Sequence, residues 1–145
     1  MSQFRRLSDS VMASPQITLE DIEAAQQQGV SLIVCNRPDE EDPGQLSSSE
    51  IREAAAEKNI EFVQIPISGG NFGDAEIGEM ADALESAEGQ VLAYCRTGTR
   101  STLLWALAEA SKGTDPDLLA RQAALAGYDL SPVRPAMEQL ADRGE

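Results

Sequence analysis

The chain has 145 residues, of which 41% are hydrophobic and only 4% aromatic, and its formal net charge is −14. This length suits one domain with a core of its own, and the charge excludes nucleic acid and anionic membranes as expected partners. Because the sequence contains no histidine, Ser-His and Cys-His dyads and histidine-bound metals are excluded as well.

In chain order, strand-like and helix-like segments alternate. Strands are predicted at 4–7 and 10–14, which form a hairpin around Ser8 and Asp9, and at 30–36, 60–67 and 90–95. Helices are predicted to start at Thr18, at a serine in 47–49, at Asp74, near Arg100, at Asp115-Pro116 and at Ser131-Pro132. This alternation predicts a single α/β domain over 1–145, with a mostly parallel central sheet of four to five strands and helices on both faces.

Sites in such sheets lie beyond the carboxyl ends of the strands. Three loops, 36–44, 68–74 and 95–101, are therefore expected to meet at one edge. Of these, the stretch "YCRTGTRS" (94–101) carries the clearest chemistry, because a cysteine lies there between a buried strand and the start of a helix. Inward-pointing amides and the helix N-terminus favour a bound anion.

Within this loop, Cys95 is the candidate nucleophile, expected to be ionised to the thiolate at neutral pH. Arg100 offers a planar fork of donors to an oxyanion, Gly98 permits a positive φ, and Ser101 could donate a hydrogen bond to the sulfur. The predicted anion-binding residues of the loop are Arg96, Thr97, Gly98, Thr99 and Arg100. The alternative is that Cys95 is an inert buried thiol at the end of a strand.

A second loop, "NRPDEE" (36–41), has two interpretations. As a wall of the site, Arg37 would contact the bound anion and Asp39 would handle a proton. As a solvated turn, the acids would face water, and Arg37 would hold the loop by pairing with Asp39 or Glu40. Cys35, just before this loop, is interpreted as a packed core thiol, with a resolving thiol for Cys95 as the alternative.

The motifs "SPQIT", "NRPDEE", "IPI" and "YCRTGTRS" occur in this order, and over about 3–110 the chain resembles the bacterial phosphatase-like domain family of beta-lactamase-hydrolase-like proteins. The resemblance implies a fold like that of dual-specificity protein tyrosine phosphatases and a cysteine-dependent phosphatase-like activity. Some members are fused to metallo-hydrolase domains linked to sulfide metabolism. Residues 115–145 lie outside the resemblance and are predicted to form a helical extension.

Two departures from true phosphatases weaken this implication. Only four residues separate Cys95 from Arg100, instead of five, and this shorter loop is similar to that of single-domain rhodaneses. The position of the general-acid aspartate falls at or near Gly69, in a glycine-rich stretch (68–73) that is either a turn or a mobile lid. Asp39 or Asp74 could substitute, although Asp74 more readily caps a helix. Tyr94 replaces the histidine that commonly precedes the phosphatase cysteine.

Three functions remain open: a phosphatase-like hydrolase, a rhodanese-like sulfurtransferase carrying a persulfide on Cys95, and a non-catalytic module that binds an anion or a phosphorylated partner. The expected partner is a small anionic or phosphorylated substrate, or a sulfane-sulfur donor. No cofactor and no metal are expected. Because no signal peptide and no membrane-spanning apolar stretch is recognised, the expected location is the reducing cytoplasm of a bacterium.

Overall fold

The computed structural model describes residues 3–68 and 72–143, and its centre is a five-stranded sheet. The strands are β1 (Arg5–Arg6), β2 (Val11–Ser14), β3 (Val30–Cys35), β4 (Glu61–Gln64) and β5 (Gln90–Tyr94). Their spatial order is β1-β2-β5-β3-β4; β1 pairs antiparallel with β2, and the other pairs are parallel. The predicted hairpin and the predicted mostly parallel sheet are confirmed.

Six helices surround this sheet in the part of the chain that the structure describes. They are α1 (Leu19–Gln27), α2 (Ser48–Glu57), α3 (Asp74–Ser86), α4 (Thr99–Ser111), α5 (Pro116–Leu125) and α6 (Arg134–Arg143). Three predicted caps are confirmed: the side chains of Thr18, Ser47 and Asp115 each accept a backbone N–H in the first turn of α1, α2 and α5. None of these helices is both long and apolar enough to cross a membrane.

The structure differs from the predictions at three boundaries. The strand predicted at 60–67 is shorter, although the Ile67 N–H still donates to the Asn36 carbonyl (3.1 Å) and keeps this segment beside β3. The helix α3 begins at Asp74, as predicted, but the prediction that Asp74 caps this helix is wrong. Gly73 holds the N-cap position. Asp74 is the first helical residue, where its negative charge interacts favourably with the positive end of the helix dipole. A short 3₁₀ helix (Ser131–Val133) precedes α6.

Apolar layers cover both faces of the sheet, and one of them holds α4 in place. Ile33 and Leu92 face α1 and α2 on one side of the sheet, whereas Val34 and Ala93 face α3, α4, α5 and α6 on the other. The α4 helix is buried nearly all round, and Trp105 at its centre is 1% exposed. Burying a side chain of this kind contributes roughly 1.5–3 kcal/mol. The N-terminus of α4 is therefore fixed at the carboxyl end of β5.

Candidate active site

The turn from β5 into α4 is built around the Cys95 sulfur. The Cys95 N–H donates to the Ser14 carbonyl (3.3 Å), which continues the pairing of β5 with β2. Gly98 is the N-cap of α4 with φ +93°, a left-handed conformation that favours glycine, as the sequence predicted. The Gly98 N–H donates to Cys95 Sγ at 3.1 Å. Thr97 and Thr99 are exposed on the rim of this turn.

Arg100 connects this turn to the two other loops. Its Nη1 and Nη2 donate to the two carboxylate oxygens of Glu41 at 2.8 and 2.7 Å, and Nη1 also donates to the Ile67 carbonyl at 2.7 Å. Hydrogen bonding to Glu41, together with the interaction of the guanidinium with the Cys95 sulfur, raises the pKa of Arg100 above its usual value. The loops that follow β3, β4 and β5 therefore do meet at one sheet edge.

Glu41 is the carboxylate that the sequence analysis missed. Besides Arg100, it accepts a hydrogen bond from Arg37 Nε at 3.0 Å. Hydrogen bonding to Arg100, and then to Arg37, lowers its pKa, so that the carboxylate is charged at neutral pH. In the sequence, no local pattern distinguishes Glu41 from its acidic neighbours Glu40 and Asp42.

Arg37 is buried, and its guanidinium is engaged within the protein. Nε donates to Glu41, Nη1 donates to Gln16 Oε1 (2.9 Å), and Nη2 donates to the Asp42 carboxylate. These contacts favour the interpretation that Arg37 holds its loop, through Glu41 and Asp42 instead of Asp39 or Glu40. Arg96 is turned outward, with 64% of its side chain exposed and its Nε 3.2 Å from Asp42 Oδ2.

Asp39 binds the N-terminus of α2. One carboxylate oxygen accepts the Ser48 N–H and the other accepts the Ser48 hydroxyl, both at 2.7 Å. These bonds lower the pKa of Asp39, which is the opposite of what a general acid needs near neutral pH. The geometry therefore disfavours the prediction that Asp39 donates a proton. Gly69, at the expected acid position, lies outside the described residues.

Cys95 and Ser101 are both buried with 0% exposure. Among the described residues, the Ser101 hydroxyl has no hydrogen-bond partner, so the predicted bond to the Cys95 sulfur is not formed in this structure. An unpartnered buried hydroxyl is unusual. Because the sulfur has no exposed surface, a substrate can meet it only if the side chains over it move.

Cys35 lies in the opposite layer of the sheet. It pairs with Tyr94 in the β3–β5 register, packs in the apolar layer of α1 and α2, and donates to the Arg37 carbonyl at 3.3 Å. Burial raises the pKa of Cys35, so its thiol is protonated at neutral pH. Successive side chains of extended backbone point to opposite faces, which favours a core thiol over a resolving partner for Cys95.

Tyr128, which follows α5, is a second residue that the sequence analysis missed. Its hydroxyl donates to the Thr97 carbonyl at 3.3 Å, and the Arg5 guanidinium lies 5.5 Å from the centre of its ring. No motif marks this tyrosine, because it lies in the C-terminal extension, beyond the resemblance. The C-terminal extension thus contacts the loop around Cys95 through Tyr128, which Arg5 of the N-terminal hairpin in turn contacts.

Two clefts lined by described residues lie away from the turn around Cys95. One cleft, of about 530 Å³, is lined mainly by the N-terminal hairpin and α5. The other, of about 550 Å³, is lined by α5, α6 and the segment between them. Neither is lined by Cys95 or Arg100. Neither cleft therefore includes the turn around Cys95. Within 3–68 and 72–143, no group of three or more cysteine or carboxylate side chains is placed to hold a metal ion.

Solved structures share this arrangement of strands and helices. A phosphatase candidate of Neisseria meningitidis Z2491 is 31% identical, with a TM-score of 0.84 over 97% of this chain and 99% of that one. Tk-PTP in its active form, 16% identical, has a TM-score of 0.72 over 97% of this chain and 97% of its own. TpbA of P. aeruginosa, solved in complex with pTyr, is 20% identical, with a TM-score of 0.62 over 94% and 90%. The fold is that of the protein-tyrosine-phosphatase-like proteins.

The sequence comparison is more specific. The family model of the beta-lactamase hydrolase-like protein, phosphatase-like domain, matches residues 3–112. The chain belongs to this family, as the sequence motifs predicted. A curated relative, the beta-lactamase hydrolase-like protein of Agrobacterium fabrum, is 32% identical over 108 residues, which is 74% of this chain. The chain spans about a quarter (25%) of the length of that relative.

Proposed function

We propose that the chain is a phosphatase of phosphate monoesters and that the Cys95 thiolate is its nucleophile. The observation that carries the proposal is that the Cys95 sulfur accepts the Gly98 N–H at the N-terminus of α4, in whose first turn Arg100 lies. Donors and positive charge of this kind stabilise an anionic sulfur and would also attract the oxygens of a phosphoryl group.

In the proposed reaction, the sulfur attacks phosphorus while the bond from phosphorus to the leaving oxygen breaks. The amides of 96–100 and the Arg100 guanidinium hold the other three phosphoryl oxygens and stabilise their charge in the transition state. Water then attacks the phosphocysteine, which releases inorganic phosphate and restores the thiolate. Because this cycle needs Cys95 to be reduced, it suits a reducing compartment such as the cytoplasm.

The substrate class depends on whether a side chain in the site can protonate the leaving oxygen. Asp39 is tied to Ser48, Glu41 is tied to Arg100, and both carboxyls have lowered pKa values. Neither is suited to give up a proton near neutral pH. A phenolate, with a parent pKa of about 10, leaves without a proton far more readily than an alkoxide. The pTyr bound to TpbA, a protein of the same fold, supports an aryl phosphate as the substrate.

We expect the protein to hydrolyse phosphotyrosine and p-nitrophenyl phosphate with a kcat/KM at least about 100-fold higher than that for phosphoserine, since a general acid contributes roughly 10²–10⁴-fold for a poor leaving group. Release of inorganic phosphate from the three compounds at equal concentration is the measurement. Equal rates on phosphotyrosine and phosphoserine would show that a proton donor operates in the site, and this substrate preference would be wrong.

A rhodanese-like sulfurtransferase is the second candidate function. The four-residue spacing of Cys95 and Arg100 favours it, and so do the lowered pKa values of Asp39 and Glu41, because sulfur transfer needs no general acid. The same preparation would be incubated with thiosulfate and its intact mass measured. A gain of one sulfur atom without phosphate release from aryl phosphates would favour this candidate. Inactivity on both substrates, with measurable vanadate binding, would favour a binding module.

Glu41 affects how an oxyanion reaches the site. Its carboxylate occupies the Nη1–Nη2 edge of Arg100, where an incoming oxyanion would compete with it. We expect Glu41→Gln to strengthen orthovanadate binding by about 3- to 10-fold, a modest change because the pair is partly exposed and therefore screened.

Inhibition of phosphate release by vanadate is the measurement for Glu41→Gln. The matched control is Glu40→Gln, which makes the same change in net charge at an exposed neighbour. Weaker vanadate binding in Glu41→Gln would mean that Glu41 orients Arg100 for the anion and does not compete with it.

A further inference from the structure

We propose that Tyr128 is a positioning residue: it locks the Thr97–Gly98 peptide so that the Gly98 N–H points at the Cys95 sulfur. The proposal deepens the proposed function and rests on it for the role of that sulfur. The residues concerned are distant in sequence, and Tyr128 lies outside the segment, 3–112, that the family model matches. Tyr128 and Cys95 nevertheless both form a hydrogen bond with the Thr97–Gly98 peptide unit.

The geometry of that unit is the first step. No peptide bond among the described residues is cis, and in a planar trans peptide the C=O and N–H point in opposite directions. The Thr97 carbonyl accepts the Tyr128 hydroxyl at 3.3 Å, and the Gly98 N–H of the same unit donates to Cys95 Sγ at 3.1 Å. Tyr128 therefore holds one end of the unit while the sulfur holds the other.

The second step is that this unit needs to be held. Gly98 has φ +93°, and glycine adopts several backbone conformations at similar cost. A rotated peptide would withdraw an N–H from the sulfur and could turn the negative end of the Thr97 carbonyl dipole toward it. Such a change would disfavour the thiolate. A hydrogen bond that fixes the carbonyl outward opposes the rotation.

The packing around Gly98 agrees with this role. A Cβ at position 98 would lie 2.1 Å from the Tyr128 hydroxyl, so that the absence of a side chain lets the tyrosine approach the turn. Tyr128 is in turn supported by Arg5, whose guanidinium lies over its ring and donates to the Ala126 carbonyl at 3.0 Å. Burial raises the pKa of Tyr128, so its hydroxyl retains the proton that it donates.

The test is the alkylation of Cys95 by iodoacetamide, followed by peptide mass at several pH values, because this reaction detects the thiolate without requiring catalysis. Since the sulfur is buried, each rate is divided by the rate at the alkaline plateau, where every Cys95 is ionised, so that the ratio reports ionisation and not access. In Tyr128→Phe, which removes only the hydroxyl, we expect alkylation at pH 7 to slow by about 3- to 10-fold, as for the loss of one hydrogen bond. The pH at which the alkylation rate reaches half of its maximum should rise. In a separate assay, kcat for phosphotyrosine should fall while KM changes by less than about twofold.

The titratable side chains at this turn include Arg100, its partner Glu41 and Tyr128. Because the pKa of Glu41 is lowered and those of Arg100 and Tyr128 are raised, none of the three titrates near neutral pH. Leu125→Ala is the control, because Leu125 is 91% exposed on the same C-terminal segment and should leave the profile as in the wild type. Arg5→Gln tests the support of the ring and should slow alkylation in the same direction.

An unchanged alkylation profile in folded Tyr128→Phe would overturn the proposal, and so would a fall in thermal stability alone. If alkylation slows as expected but the wild type releases no phosphate from aryl phosphates, the positioning role stands and the phosphatase proposal fails. If phosphatase activity is present and Tyr128→Phe retains both the wild-type profile and the wild-type kcat, only the positioning role fails.

Discussion

Cys95→Ser is expected to abolish phosphate release, with kcat lowered at least about 10³-fold. A serine hydroxyl is not ionised at neutral pH, and neither the Gly98 N–H nor the charge of Arg100 can ionise it, so the nucleophile is lost while the loop is kept. Serine differs from cysteine in one atom, so the protein should remain folded. The measurement is single-turnover phosphate release from p-nitrophenyl phosphate, together with the unfolding midpoint.

Cys35→Ser is the matched control for this experiment. It makes the same substitution at the chain's other cysteine, which is equally buried but packs against α1 and α2. We expect it to keep kcat within about threefold, although it will lower stability, because a hydroxyl replaces a packed thiol in an apolar layer. Wild-type turnover in Cys95→Ser would refute both the phosphatase and the sulfurtransferase mechanisms.

Arg100→Lys is the second substitution with a large expected effect. Lysine keeps the positive charge but cannot supply the planar fork that holds Glu41 and the Ile67 carbonyl together. We expect kcat/KM for phosphotyrosine to fall by about 10²–10³-fold, as when one preorganised donor to a transition-state oxyanion is removed. Steady-state kinetics and vanadate inhibition, measured on the same preparation, separate the loss in catalysis from the loss in anion binding.

Arg96→Lys provides the comparison within the same loop. Arg96 is mostly exposed and pairs with Asp42 at the surface, so we expect a loss of about threefold or less. A larger effect for Arg96→Lys than for Arg100→Lys would mean that the outward arginine contacts the substrate. The roles predicted here for the two residues would then have to be exchanged.

Local patterns in the sequence were sufficient to predict the strands, the helices and the turn that carries Cys95. Apolar strands, the caps at Thr18, Ser47 and Asp115, and the glycine at 98 are local signals, because each depends on the backbone of a few neighbouring residues. The strand–turn–helix order around Cys95 was predicted for the same reason, whereas the family was indicated by the resemblance of a series of short motifs.

Which side chains meet at and around that turn depends on the tertiary fold. Arg37 pairs with Glu41 and Asp42, Asp39 binds Ser48, and Tyr128 reaches the Thr97 carbonyl from beyond the family segment. The acids of 39–42 have similar local propensities, so only the packing of one loop against α2 and α4 gives each a different partner. Contacts between residues far apart in the chain leave no periodic pattern, and their geometry exists only once the sheet and its helices have assembled.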